Sequence, residues 1–309
     1  GNTLTVSNTE TISGNSGSDA VTLGTAPTAG SVDLSGGSDT LKMAATGGTV
    51  TVSNVETLSG AAGRDVVNLG SQMQTGTIDL GGGSDKLSLG NLANTLTISN
   101  VETTSGGSAG DVVTLGTAQS AGVVDLSGGS DTLMLNSGGA TLTVSNVETL
   151  SGAAGSDIVT LGSTMSGTID LSGGTDNQTP AAAGSTLTVS NIETLSGAAG
   201  SDLVTLGSQM QSGTIDLSGG SDKLTLGNSA NTLTVTNIET LSGGSAGDAV
   251  TLAAAQSGGT IDLSSGSDSL TLAPAGGTVT ITNVETLSGA AGGDAVTLGS
   301  ALSGTIELA

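Results

Sequence analysis

The sequence predicts an all-β chain wound as a parallel β-solenoid, and three observations carry the prediction. The first is an internal repeat. Near-copies of one unit begin at Thr3, Thr49, Thr95, Thr141, Thr186, Thr232 and Thr278, at spacings of 46, 46, 46, 45, 46 and 46 residues. So regular a period, with substitutions but almost no insertions, marks units that stack on one another. The second is alternation. Segments such as Thr186-Leu187-Thr188-Val189 and Asp202-Leu203-Val204-Thr205-Leu206 switch between apolar and polar with period two, the signal of a half-buried strand. No segment shows helical periodicity. The third is composition: 53 Gly, 35% hydrophobic residues and no Phe, Tyr, Trp, His or Cys. That is too little for a thick globular core and enough for one layer of aliphatic side chains inside a narrow coil.

Within each repeat the elements echo one another. Val55-Glu56-Thr57-Leu58-Ser59-Gly60 and then Asp65-Val66-Val67-Asn68-Leu69-Gly70 are followed by Thr77-Ile78-Asp79-Leu80-Gly81-Gly82 and then Asp85-Lys86-Leu87-Ser88-Leu89-Gly90. Glu56 to Asp79 is 23 residues, and so is Asp79 to Glu102. The spacing therefore predicts two coils per repeat, each of about 23 residues, the first carrying an extra strand at Thr49-Val50-Thr51-Val52. One continuous domain over residues 1–309 follows, with an incomplete last repeat. It would have about 13 coils and a length of roughly 60 Å, wound right-handed. Gly-Gly, Ser-Gly and Asn at the strand ends supply corners that need positive φ. One coil breaks the pattern: Asn177-Gln178-Thr179-Pro180-Ala181-Ala182-Ala183-Gly184 lacks apolar alternation, and Pro180 cannot donate to a ladder. It reads as a surface bulge, or as a bend or lateral contact point.

The 27 acids against four basic residues, Lys42, Arg64, Lys86 and Lys223, give a formal charge of −23. Such a chain repels nucleic acid and anionic membranes, and no apolar run reaches membrane-spanning length. The acids fall into columns. Glu10, Glu56, Glu102, Glu148, Glu193, Glu239 and Glu285 form one, echoed by Asp33, Asp79, Asp125, Asp170, Asp216, Asp262 and Glu307. Asp19, Asp65, Asp111, Asp157, Asp202, Asp248 and Asp294 form a third, and Asp39, Asp85, Asp131, Asp176, Asp222 and Asp268 a fourth. Together these columns hold every acid in the chain. Parity then separates them. Asp79 lies between inward Ile78 and Leu80 and points out, whereas Asp65 and Asp85 share the inward parity of the apolar residues that follow. The third and fourth columns are thus expected to line one corner edge, one aspartate per coil. Carboxylates about 4.8 Å apart repel by roughly 0.9 kcal/mol even in water. Either hydrogen bonds from corner amides or bound cations must offset this.

Gly152-Ala153-Ala154-Gly155-Ser156-Asp157-Ile158-Val159-Thr160 resembles the nonapeptide Gly-Gly-x-Gly-x-Asp-x-apolar-x of RTX (haemolysin-type) calcium-binding repeats. Asp65, Asp202 and Asp294 follow the same Gly-Ala-Ala-Gly-x stretch, and Asp19 follows Gly14-Asn15-Ser16-Gly17-Ser18. Asp111 and Asp248 sit in Gly-Gly-Ser-Ala-Gly-Asp, with one glycine shifted, and Gly128-Gly129-Ser130-Asp131 is two residues short of the motif. The resemblance implies Ca²⁺ held by the aspartates and glycine-corner carbonyls. It also implies a secreted protein, leaving a Gram-negative cell by a type I route. The family's turn of two nonapeptides is about 18 residues, shorter than the 23 read here.

With no His, Cys or Tyr and no unmatched constellation in any repeat, catalysis is not expected, nor is a small-molecule substrate. The expected role is structural. Copies would stack head-to-tail through open solenoid ends into a filament, or the chain would be the stalk of a cell-surface adhesin or S-layer protein. Ice binding is the alternative, through outward rows such as Thr49-x-Thr51, Thr95-x-Thr97 and Thr141-x-Thr143. Because Gln72-Met73-Gln74 occupies the place between them, those rows are expected only at every second coil, about 9.6 Å apart.

Overall fold

The computed structural model describes residues 1–308. They form two compact units, Gly1–Gly155 and Ser156–Ala309, and each is a parallel β-solenoid. No helix occurs among the described residues. Among the described residues each unit contains 17 strands, running from Thr3–Val6 to Thr149–Ser151 in the first and from Ile158–Leu161 to Thr305–Glu307 in the second.

Strands pair with the next but one along the chain, always in parallel, so each turn contributes one strand to each of two facing sheets. In the first unit Thr3 pairs with Ala20, Ala20 with Thr40, Thr40 with Thr57 and Thr57 with Thr77. The offsets alternate between 17 and 20 residues, as do those of the corner hydrogen bonds beside them. Side chains alternate in and out as the sequence predicts. In Gly76–Gly81, Ile78 and Leu80 are fully buried while Thr77 and Asp79 are exposed. The core of each unit is a double file of Val, Leu and Ile between the sheets.

The winding differs from the expectation in one consequential way. The repeat from Thr49 holds five strands, Gly48–Ser53, Thr57–Ala61, Asp65–Leu69, Gly76–Gly81 and Lys86–Ser88. Two strands make a turn, so a repeat makes two and a half turns. Dividing 46 by 2.5 gives about 18.4 residues per turn rather than 23. The supposed extra strand at Thr49–Val52 is an ordinary rung. An odd strand number means that the strand opening each repeat changes sheet. Thr3–Val6 pairs within one sheet and Gly48–Ser53 within the other. Thr95–Ser99 returns to the first.

The corners rest on residues in the left-handed region. Asn8, Asn54, Asn100, Asn146, Asn191, Asn237 and Asn283 all lie at φ 52–54°. Ser35, Ser127, Ser172, Ser218 and Ser264 lie at φ 63–67°, the first four of them in the expected Ser-Gly corners. Gly60 serves close approach instead, since a Cβ there would run into the Leu80 carbonyl of the next turn.

The segment from Asn177 is not a bulge. Asn177–Thr179 is a strand paired with Ile158–Leu161 and Thr194–Ser196, and Gln178 is fully buried at a core position. The equivalent residues elsewhere are Leu41, Leu87, Leu133, Leu224 and Leu270. Neither Oε1 nor Nε2 of Gln178 has a hydrogen-bond partner. Thr104 is a second polar substitute in a leucine place, with its hydroxyl unpartnered.

Candidate functional site: the carboxylate ladders

The inward aspartates take their places from backbone geometry. At the corner before a strand, each N–H points along the stack and needs an acceptor, because a buried amide left unpaired is costly. The acceptor is the carboxylate one turn on. The Asn2 N–H donates to Asp19 Oδ1 at 2.6 Å, Asp19 N–H to Asp39 Oδ1 at 2.6 Å, and Asp39 N–H to Glu56 Oε2 at 2.7 Å. The ladder recurs at Asp65, Asp85 and Glu102, where Asp65 and Asp85 donate at 2.7 Å each but the Asp65 carboxylate itself accepts no amide. It recurs again at Asp111, Asp131 and Glu148.

In the second unit the ladders are Asp157–Asp176–Glu193, Asp202–Asp222–Glu239 and Asp248–Asp268–Glu285. Asn94 and Asn231 reinforce the first rung, each also donating Nδ2 to its aspartate at 2.9 Å.

The expected inward parity is therefore present. Asp19, Asp39, Asp65, Asp85, Asp111, Asp131, Asp157, Asp176, Asp202, Asp222, Asp248 and Asp268 are all buried, and Asp294 is half-buried. Two expectations are corrected. The aspartates do not line one edge. Because a repeat is two and a half turns, successive ladders within a unit alternate between the two edges, each following the sheet its strands join. Nor do the glutamates echo the outward Asp79 column. Glu56, Glu102, Glu148, Glu193, Glu239 and Glu285 are each the third rung of a ladder, the longer side chain reaching back to the aspartate amide of the previous turn, whereas Glu10 is exposed.

Electrostatically the ladders are loaded. In most rungs one carboxylate oxygen takes an amide, while Oδ2 of Asp39, Asp85, Asp111, Asp131, Asp202, Asp222 and Asp248 is buried without a partner, and at Asp65 both oxygens are. Burial, with the neighbouring Asp85 charge adding to it, pushes Asp65 up to about 6. Asp202 is also pushed up to about 6, by burial first and then by Asp222, against the stabilising Ser185 amide. Burial likewise raises Asp85, Asp111, Asp131, Asp176, Asp222, Asp248 and Asp268. Asp19 goes the other way and is held low, chiefly by the Asn2 amide.

The outward aspartates are managed differently. Asp79 Oδ1 accepts the Gly81 N–H at 3.0 Å, an Asx turn, and Nδ2 of Asn100 at 2.7 Å. Five further pairs, from Asn54–Asp33 to Asn283–Asp262, repeat the cross-turn bond. These asparagines were missed as partners. Their constant separation of 21 residues from the aspartate was the available signal. Outward aspartates on one sheet recur every second repeat, five turns or roughly 24 Å apart, well beyond the Debye length of about 8 Å.

Ca²⁺ takes six to eight oxygens, whereas the ladder carboxylates face inward and most have one oxygen committed to an amide. Among the described residues no group of three or more acids gathers to hold a metal ion. Two polar clefts also recur. One, of about 260 Å³, lies between Asn54, Glu56, Gln72 and Gln74, and one of about 190 Å³ between Asn191, Glu193, Gln209 and Gln211.

No protein-family model, curated protein or solved structure matches this chain.

Proposed function

We propose that the chain is a non-enzymatic, extracellular structural protein, a spacer built from stacked turns. The observation behind this reading is the repetition itself. Every 46 residues supply the same corner ladder, outward Asp–Asn pair and threonine strands, so no repeat carries a constellation of its own. The RTX-like motif supports placement at the cell surface after type I secretion. A turn of about 18.4 residues lies close to that family's two nonapeptides. The reading takes two forms, a filament of copies stacked end to end and the stalk of a larger adhesin or S-layer chain.

Removing residues 49–140, two whole repeats, should leave a folded particle shorter by five turns, roughly 24 Å, in electron micrographs. Unfolding of that variant would sink the reading. Calcium binding is a separate proposal and would draw on the ladder carboxylate oxygens that carry no amide. Circular dichroism in EGTA and then in millimolar calcium tests it. Full β structure in EGTA leaves the carboxylates as amide acceptors, and a coil-to-β transition on adding calcium makes them ligands.

One observation favours ice binding as a second reading. Thr40, Thr57, Thr77, Thr97 and Thr114 pair on successive turns of one sheet. Thr194, Thr214, Thr234, Thr251 and Thr271 do the same in the second unit. The expected doubling of the row spacing is thereby corrected, because threonines from different places in the repeat fill one column. Inhibition of ice recrystallisation that is lost in Thr57→Leu/Thr77→Leu would support it; an inactive parent chain would end it.

A further inference from the structure

The charge of −23 is not spread over the surface. Most of it lies along the corners, and the flat outer faces of the sheets are nearly neutral. On the sheet that begins with Thr3–Val6 in the first unit, the outward residues are almost all Thr and Ser. The only charged ones among the described residues are Lys42 and Asp79. They stand in one column on either side of Ser59, since Lys42 pairs with Ser59 and Ser59 with Asp79. Two turns separate them, roughly 9.6 Å.

The relation recurs at every lysine. Lys86 precedes Asp125 by two turns on the other sheet of that unit, through Thr103 and Ser105. Lys223 precedes Asp262 by two turns in the second unit, through Thr240 and Ser242. In these two cases the aspartate is displaced two residues along the strand. That is about 7 Å, within the span of an extended lysine side chain.

We propose that these faces bind second copies of this chain, face to face and antiparallel. A two-fold axis along the strand direction at Ser59 places Lys42 of one copy against Asp79 of the other, and the reverse, with Ser59 meeting Ser59. This is the self-complementarity an isologous contact demands. The threonine columns face each other at a common strand spacing, and the acidic ladders stay at the margins. Seven strands overlap about this axis, a footprint of roughly 34 Å by 13 Å and about 900 Å² over both partners. That is below a standard interface of about 1,200–2,000 Å², so each contact is weak. Lys42 and Lys86 lie on opposite sheets of one unit, so a copy takes a partner on each side and assembly continues past the dimer. This inference rests on the structural reading above and names its partner.

The test is complementation of charge reversals in the full chain, followed by sedimentation and light scattering from micromolar to near-millimolar protein. The parent chain should gain mass with concentration. The triple variant Lys42→Asp/Lys86→Asp/Lys223→Asp should associate at least about tenfold more weakly, and so should Asp79→Lys/Asp125→Lys/Asp262→Lys, although the latter lowers the net negative charge. An equimolar mixture of the two should recover the parent's association, because every facing pair is again opposite in sign. A parent chain that stays monomeric throughout overturns the proposal. So does association that neither triple variant weakens, or a mixture that fails to recover it. Circular dichroism of each variant separates loss of contact from loss of fold, and the shortened-particle experiment above tests the structural reading independently.

Discussion

Replacing Asp202 with Asn measures what a ladder carboxylate does. Asp202 is 2% exposed, accepts the Ser185 N–H at 2.7 Å and precedes Asp222 on the next turn. Its pKa of about 6 stands roughly two units above the unfolded value of about 3.9, at about 1.36 kcal/mol per unit. A group whose folded pKa is raised contributes stability below its unfolded pKa and loses it as pH rises through the folded one. Full ionisation would therefore cost up to about 2.8 kcal/mol, and solvent screening with coupling to Asp222 reduces this to about 1.5 kcal/mol. Asn keeps the Oδ1 acceptor and removes the charge. The cost of burying its Nδ2 is the same at both pH values and cancels in the comparison. Relative to the parent, Asp202→Asn should thus gain about 1.5 kcal/mol between pH 4 and pH 8. Urea unfolding followed by circular dichroism at the two pH values reads this directly. A difference that stays constant, or a variant that loses ground at pH 8, would refute the account of Asp202 as a carboxyl whose burial outweighs the amide that holds it.

Gln178→Leu removes two unpartnered amide atoms from a place that elsewhere holds leucine, and should stabilise the second unit by about 2 kcal/mol in thermal or urea unfolding. Asn100→Ala loses the Nδ2 bond to Asp79 and places a Cβ-bearing residue without a local side-chain bond at φ 53°. It should cost about 2 kcal/mol in the same assays, with Asn100→Asp costing no less because it sets like charges together. Gly60→Ala should cost about 1–3 kcal/mol by pushing the Leu80 carbonyl away, and hydrogen exchange should quicken at the two turns it separates.

Much of this was legible in the sequence. Period-two alternation identified which faces are buried, and it placed all the ladder aspartates inward. The winding number was not legible. Glu56 and Asp79 sit 23 residues apart, and that equal division of the repeat imitated two coils. Strand pairing follows offsets of 17 and 20, which depend on how much chain each corner absorbs. The glutamates were misplaced for the same reason, since their role appears only once Asp39 and Glu56 stand on adjacent turns. Gln178 was misread because a polar residue in a core position breaks the very alternation that identifies a strand.

The half-integral winding has a consequence for how such a chain lengthens. Gain or loss of a single repeat by unequal recombination would preserve every strand pair and every ladder. It would also turn the downstream turns to face the other way. Gain or loss of two would leave them facing as before. Copy number thus sets direction by its parity, so a lineage that must present the same side to a fixed neighbour should change its repeats in pairs.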